Sequence, residues 1–394
     1  MKPAGTPDLV INLQAIVRNW KMFRSRLATG VRCGAVVKAN AYGLGMEPVV
    51  RELVLAGCRD FYVANLREAM ATREVLNHLV ESLAEKSPSV AVPDYCIYVL
   101  SGCAPGEEAE FLQLQCVPVL VSLEMLNRWI KVVGASGLRS SSVRAALKVD
   151  TGMARLGLEP DQFSQLLKTP EVFTRAGVGM LMSHLACADN PQHPQNRQQL
   201  QRFASCLSAL QAECPAVTGC LANSAGILLS PEYHFQGVRP GIGLYGGNPC
   251  GTGESPVESV VSLRVPVLQT RVLPEGGAVG YGASYQAHGP ARLATVAGGY
   301  ADGIFRYLGN QGSCWVADRC GGPGWRAPIV GRISMDSTII DVSHIPESAV
   351  REGDRVELLG SNIGIDEVAS AASTISYEIL TSLGSRYSRA YVRD

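Results

Sequence analysis

The chain lacks any apolar run approaching the roughly eighteen residues that a membrane helix requires. Its start, MKPAGTPDLVINLQ, has no basic head followed by a long apolar core. Both absences read as a soluble, cytoplasmic chain. Charge of one sign is missing too: 35 Lys and Arg balance 35 Asp and Glu, leaving no global field to attract nucleic acid or an anionic membrane. None of the 12 cysteines forms a CxxC pair, histidines number only 6, and HExxH is absent, so a zinc site has no motif behind it. In a long chain without a secretory leader, the cysteines read as buried thiols rather than a disulfide framework. No internal repeat or low-complexity tract occurs. What is present is 394 residues, 46% hydrophobic and 18% charged. That composition supports a large core in two domains and fits a small-molecule enzyme better than a polyanion binder.

Short apolar runs alternate with amphipathic stretches through about residue 246. Strands are expected at 32–39, 60–66, 95–102, 116–122, 144–150, 177–184, 219–224 and 236–239, with helices between most of them at 47–56, 66–86, 123–133 and 196–213. Eight strand and helix alternations point to a barrel, with an open doubly wound sheet as the alternative that periodicity cannot exclude. Beyond residue 250 the texture changes. CGTGESPVES reads as a linker, and SVVSLRVPVLQTRVL, ARLATVAGGY, APIVGRISMDSTIIDV and DRVELLG are β-rich runs separated by turn residues. The expected organisation is an N-terminal strand at residues 1–10 joining the β domain, a (β/α)8 TIM barrel over 11–250, and a mostly-β domain over 251–394.

The most informative stretch is RCGAVVKANAYGLG, a β-type run that ends in Lys38 and breaks into glycines. In a barrel, strand C-terminal ends face the active-site mouth. An amine there, backed by an apolar wall, has its pKa lowered and as the free base adds to an aldehyde. The rival is a surface lysine after an edge strand. Further residues fall at expected strand ends: His184, which would stack on an aromatic ring or be a core histidine; Asn223 and Ser224, which would bind phosphate, with Ser224 equally a helix N-cap; and Arg239, which would pair with an anion or be a structural ion pair. Lys148 and Arg155 flank Asp150, and two cations so near one strand end need an anionic partner. Gly241 to Gly246 satisfies GxGxxG, but no helix follows, which disfavours the dinucleotide reading; the glycines read as a phosphate-binding strand exit or simply as a flexible one.

VVKANAYGLG closely resembles the pyridoxal-phosphate lysine motif of the alanine racemase family. LKVDTGMARLGL, SHLACAD, LANSAGIL, VRPGIGLYG, VGYGASY, GGYADG and GRISMD are similar to further family segments in the family's order, across nearly the whole chain. The resemblance implies a barrel followed by a β domain, with pyridoxal 5'-phosphate held on Lys38 as an internal aldimine and surrounded by Tyr42, His184, Asn223, Ser224, Gly241 and Ile242. It places Arg239 at the pyridine nitrogen, Arg155 and Met335 at the substrate, and a carbamate on Lys148, with Asp336 and Tyr300 supporting. It implies racemisation of alanine by two bases, Lys38 and Tyr281, on opposite faces of the substrate, in a homodimer that shares its sites, supplying D-alanine for peptidoglycan. A racemase for serine or a broad set of amino acids is the alternative, and a noncatalytic pyridoxal-phosphate binder a more remote one. Two departures stand out. Ser334 replaces a cysteine found in many relatives, and Ser385 falls where some relatives have a phosphate-contacting tyrosine.

Overall fold

A computed structural model describes residues 5–86, 94–138, 142–251 and 253–394. Short strands buried on both faces are what an all-parallel sheet covered by helices requires. Asp60–Val63, Cys96–Val99, Val117–Leu120 and Ala145–Lys148 are buried at every position. With Val178–Met182, Thr218–Asn223 and Gly237–Arg239 they form one parallel series that closes on itself through the first strand. Closure depends on Gly34. The stretch expected as one strand over 32–39 is split there: Arg32–Cys33 pairs with the last strand and Ala35–Val36 with Asp60–Val63. Gly34 N–H and Val36 N–H also donate to Val238 O and Pro240 O at 3.0 Å each. A Cβ on Gly34 would come within 2.5 Å of the Tyr62 ring, so this seam admits no side chain. The sheet is therefore a closed barrel with eight strand positions, which removes the open-sheet alternative.

The helices outside the barrel follow their sequence signals. Ser122 Oγ accepts from Met125 N–H at 3.2 Å and caps Leu123–Ala135. Leu126, Trp129, Ile130 and Val133 then fall on one buried face at helical spacing. Trp129 Nε1 donates to Ala176 O at 2.9 Å, tying this helix to the entry of Val178–Met182. Pro194–Glu213 begins with proline at its first position, where the missing N–H costs nothing. None of the described helices is long and apolar enough to cross a membrane.

The β domain is built around the long strand Val261–Leu273, which pairs with Asp8–Asn12, Arg355–Leu359 and Ala291–Ala297. Asp8–Asn12 also pairs in parallel with Ser388–Val392, so both chain ends enter this sheet before the first barrel helix, capped by Asn12, begins. Two helices the sequence reading did not include, Ile365–Ala371 and Ser376–Ser382, pack on the sheet.

Two loops of this domain, one carrying Tyr300 and the other Met335, run backbone to backbone. Tyr300 N–H donates to Ser334 O and Ala301 N–H to Met335 O at 3.0 Å each. Arg386 clamps them from outside, with two bonds to the Asp302 carboxylate and one to Asp336, all 2.7 Å. The clamp's own segment lies against Gly303, whose φ of +90° and close approach to the Ser382 carbonyl leave no room for a Cβ. Gly303→Ala is expected to destabilise the protein by about 1–3 kcal/mol, the usual cost of overpacking, read as an earlier denaturant midpoint. An unchanged midpoint would mean that residues 382–384 move away freely.

Candidate active site

Lys38 sits two residues past the end of the first barrel strand, just before a stretch of backbone that L-amino acids avoid. Ala39, Asn40, Ala41 and Tyr42 all have φ between 53° and 56°, a left-handed turn of four non-glycine residues. Each such residue costs about 1–2 kcal/mol, and strain of this kind persists only where its surroundings impose it. Here Gly43 N–H reaches Ala39 O at 2.7 Å, Gly45 N–H reaches Asn40 O at 2.9 Å, and the Asn40 side chain accepts from Met46 N–H at 2.8 Å. The Glu68 carboxylate accepts from Ala39 N–H at 2.7 Å. The turn delivers Tyr42 to the interior, where its ring lies 4.7 Å from that of Tyr245 and 5.9 Å from that of Tyr377. Tyr245 donates to Val36 O at 2.8 Å and so secures the strand that carries the lysine.

Around Lys38 the barrel gathers positive charge. Lys148, buried at the end of its strand, is held down to about 8 by burial and then by Arg239 and Arg155, against the opposing pull of Asp150. Burial lowers Lys38 as well; Arg155 and Arg239 add to the shift and Glu68 opposes it. Burial, then Arg239, Lys148, Arg155 and Lys38, push His184 well below its usual value, so its ring is neutral at pH 7. Arg239 Nη2 lies 3.3 Å from His184 Nδ1. A guanidinium only donates, so Nδ1 is the acceptor and the ring proton sits on Nε2.

Arg239 is buried at 3% exposure and bonds the carbonyls of Cys220, Ser183 and Leu221 at 2.8, 2.7 and 3.2 Å, and the Cys220 thiol at 2.9 Å. Among the described residues no carboxylate pairs with it, which removes the structural ion-pair reading. Gln199, buried in the helix Pro194–Glu213, joins the surrounding loops by donating to Thr151 Oγ1 and His184 O and accepting from Ala186 N–H.

The strand exits form a cradle for an anion. Asn223, not Ser224, caps the helix Ser224–Leu229, accepting from Gly226 N–H at 2.9 Å. Ser224 Oγ instead accepts from Gly241 N–H and Gly243 N–H at 2.7 and 3.3 Å, which leaves its own proton free to donate. Ile242 opens the short 3-10 turn between those glycines. A Cβ on Gly241 would lie 2.5 Å from the Tyr42 hydroxyl, so glycine lets that hydroxyl approach the cradle. Hydroxyl donors beside four cations, Lys38, Lys148, Arg155 and Arg239, with only Glu68 and Asp150 acting against them, fit a phosphorylated aldehyde carried on a lysine.

The β-domain candidates lie elsewhere on the chain. Tyr281, Tyr300 and Met335 are exposed by 66%, 43% and 53%, and none of them is among the groups that act on Lys38. Asp336 is held by Arg386. Ser334 gives its carbonyl to Tyr300 N–H, a role its side chain does not alter. Ser385 is exposed on the chain before Arg386, and a tyrosine not singled out from the sequence, Tyr377, packs on Tyr42. The signal that would have found Tyr377 is its place at the start of the helix Ser376–Ser382, which the sequence reading did not include.

Residues 11–249 match the alanine racemase N-terminal domain and residues 260–391 the alanine racemase C-terminal domain. The chain is 43% identical to the alanine racemase of Rhodospirillum rubrum over 98% of its own length and 96% of that protein's. It is 40% identical to a catabolic alanine racemase of Agrobacterium fabrum, covering 98% and 92% of the two chains. It superimposes on the crystal structure of alanine racemase from Bartonella henselae with covalently bound pyridoxal phosphate, with a TM-score of 0.86 and 36% identity over 98% of this chain and 99% of that one. A closed barrel with a lysine at its mouth, the β domain after it and these matches along both domains make the chain a member of the alanine racemase family.

Proposed function

We propose that this chain interconverts L-alanine and D-alanine by a two-base route, with pyridoxal 5'-phosphate held by Lys38 and Tyr281 contributed by a second copy of the chain. The observation that carries the reading is the cluster of Lys38, Lys148, Arg155 and Arg239 beside the Ser224 and Gly241 cradle, in a chain of this family. Bound there, the cofactor draws electrons from the alanine α-carbon and makes its C–H bond acidic. Lys38, which burial and Arg155 keep closer to its free-base form, takes or returns the proton on one face. Tyr281 serves the other face. Arg239, a guanidinium that only donates, would disfavour a proton on the cofactor's ring nitrogen, His184 would hold the ring as a neutral imidazole, and Arg155 and Met335 would hold the substrate. The product supplies D-alanine for peptidoglycan in the cytoplasm; the Agrobacterium relative is named catabolic, the opposite direction of use.

Borohydride reduction of the purified protein, followed by peptide mass spectrometry, is expected to place the cofactor on the peptide containing Lys38. Its appearance on any other lysine would sink this assignment.

The exposure of Tyr281 supports shared sites. Two-thirds of the Tyr281 surface is open, on a domain whose own chain shows no contact from it to Lys38, and a symmetric pair of copies would complete two equivalent sites. Tyr281→Phe is expected to lower racemisation by about 10²- to 10⁴-fold with the cofactor retained. Homodimers of Lys38→Ala and of Tyr281→Ala should be nearly inactive. Refolded mixtures of the two should recover activity, since one site of each heterodimer is then intact. Verified heterodimers as inactive as their parents would overturn the shared site.

Lys148 is the carbamate candidate, because only a neutral amine adds carbon dioxide, and burial with Arg239 and Arg155 brings this amine down to about 8. Its neutral fraction therefore rises between about pH 7 and 9 rather than above the usual lysine range. With ¹³C-bicarbonate, a carbamate resonance should grow across that interval and vanish in Lys148→Gln. A resonance that survives the substitution would assign it to another amine.

A further inference from the structure

We infer that Glu68 is a positioning residue for Lys38, its carboxylate fixing the left-handed turn that presents the amine and facing it with negative charge. The inference rests on Lys38 being the cofactor lysine. Glu68 is the third residue of the helix Leu66–Lys86, a position from which glutamate commonly reaches back to the N-cap amide. Here Asn65 already caps the helix, accepting from Glu68 N–H at 3.1 Å. One Glu68 oxygen takes Ala64 N–H at 2.7 Å, and the other leaves the helix altogether to take Ala39 N–H at 2.7 Å. Ala39 N–H belongs to the peptide plane immediately after Lys38. The carboxylate thus bolts that plane to the exit of the neighbouring strand, Asp60–Val63, through two charge-assisted bonds, which are shorter and stronger than neutral ones.

The bonds made within residues 37–46 are neutral, and the other outside contacts fall at the ends of the segment: Val37 N–H donates to Tyr62 O at 2.9 Å before Lys38, and Arg389 and Tyr391 donate to Gly43 O and Leu44 O at 3.4 and 3.0 Å beyond the turn. Four consecutive left-handed residues have no intrinsic reason to stay. An outside anchor is what the strain requires, and at the peptide that follows Lys38 that anchor is Glu68. It also stands alone electrostatically. The charged groups acting on Lys38 are Arg155, Glu68 and Arg239, and Lys148 is coupled to it in turn; of these only Glu68 favours the ammonium form. Without it the amine would face cations alone and hold a proton less readily, although the proposed route needs Lys38 both to take a proton and to give one back.

Three variants of the holoenzyme separate anchor from charge. Glu68→Ala removes both, Glu68→Gln removes the charge while keeping the length, and Glu68→Asp keeps the charge but is too short to span Ala64 and Ala39. Hydrogen exchange of the peptide covering 38–45 should speed up in Glu68→Ala and Glu68→Asp. The basic-to-acidic limb of the pH profile that belongs to Lys38 should move to lower pH in Glu68→Ala and Glu68→Gln, and stay near the wild-type position in Glu68→Asp. A misplaced lysine should cost on the order of 10²-fold in kcat with a smaller change in KM. Because Glu68→Gln is isosteric, it keeps the test valid if Glu68→Ala fails to fold. Unchanged exchange together with an unchanged pH limb, whatever the loss of activity, would reduce Glu68 to a helix cap and overturn the inference. Borohydride trapping on a different lysine would instead overturn the function reading, and is scored separately on the wild-type protein.

Discussion

Positive charge confined at the mouth of one barrel is the constraint from which the rest of the site follows. Arg239 is buried without a carboxylate, its guanidinium satisfied by three backbone carbonyls, a thiol and a neutral imidazole. An arginine held this way keeps its charge available for something that enters from outside. Burial first, and then the same field, keep His184 neutral and Lys148 well below a normal lysine, because each added cation makes the next proton harder to hold. Anions are the natural complement, as the proposed phosphate at Ser224 and Gly241, substrate carboxylate at Arg155 and carbamate on Lys148 would be.

Backbone strain is the second theme, and it is spent at the same place. The turn after Lys38 and the seam at Gly34 lie four residues apart, on either side of the strand Ala35–Val36. One closes the barrel and the other turns the chain out of it. Glu68, Tyr245 and Asn40 share the task of holding that short strand and its exit, which explains why a two-residue strand can present a reactive group reproducibly. The β domain solves a similar problem at longer range. Its Tyr300 and Met335 loops are locked to each other and to Arg386, so their exposed side chains sit on a rigid frame, as a surface offered to another copy would need.

Much of this was legible in the chain itself. Eight strand positions, four long helices, the change of texture near residue 250 and the lysine after VV all follow from period, turn chemistry and composition, which are local properties. The order of motifs carried the family as well. What sequence reading lost was of another kind. It ran the first strand through 32–39, although closure needs a break at Gly34 and the strand ends at Val36. It offered the helix cap to Ser224 where Asn223 takes it, and it did not anticipate that Tyr377 packs on Tyr42.

These losses have one physical reason. A residue's chemical type and its nearest neighbours are written in order along the chain, so the sequence alone determined which groups exist and at which strand ends they fall. Pairing register, the sign of φ in Ala39 to Tyr42, and the reach of Glu68 to a backbone amide 29 positions away depend on contacts between segments that sequence order does not rank. Only the tertiary structure decided that Arg239 has no acidic partner among the described residues, that Tyr377 meets Tyr42, and that Tyr281 is left exposed, because each is a statement about which surfaces are left over once the others have packed.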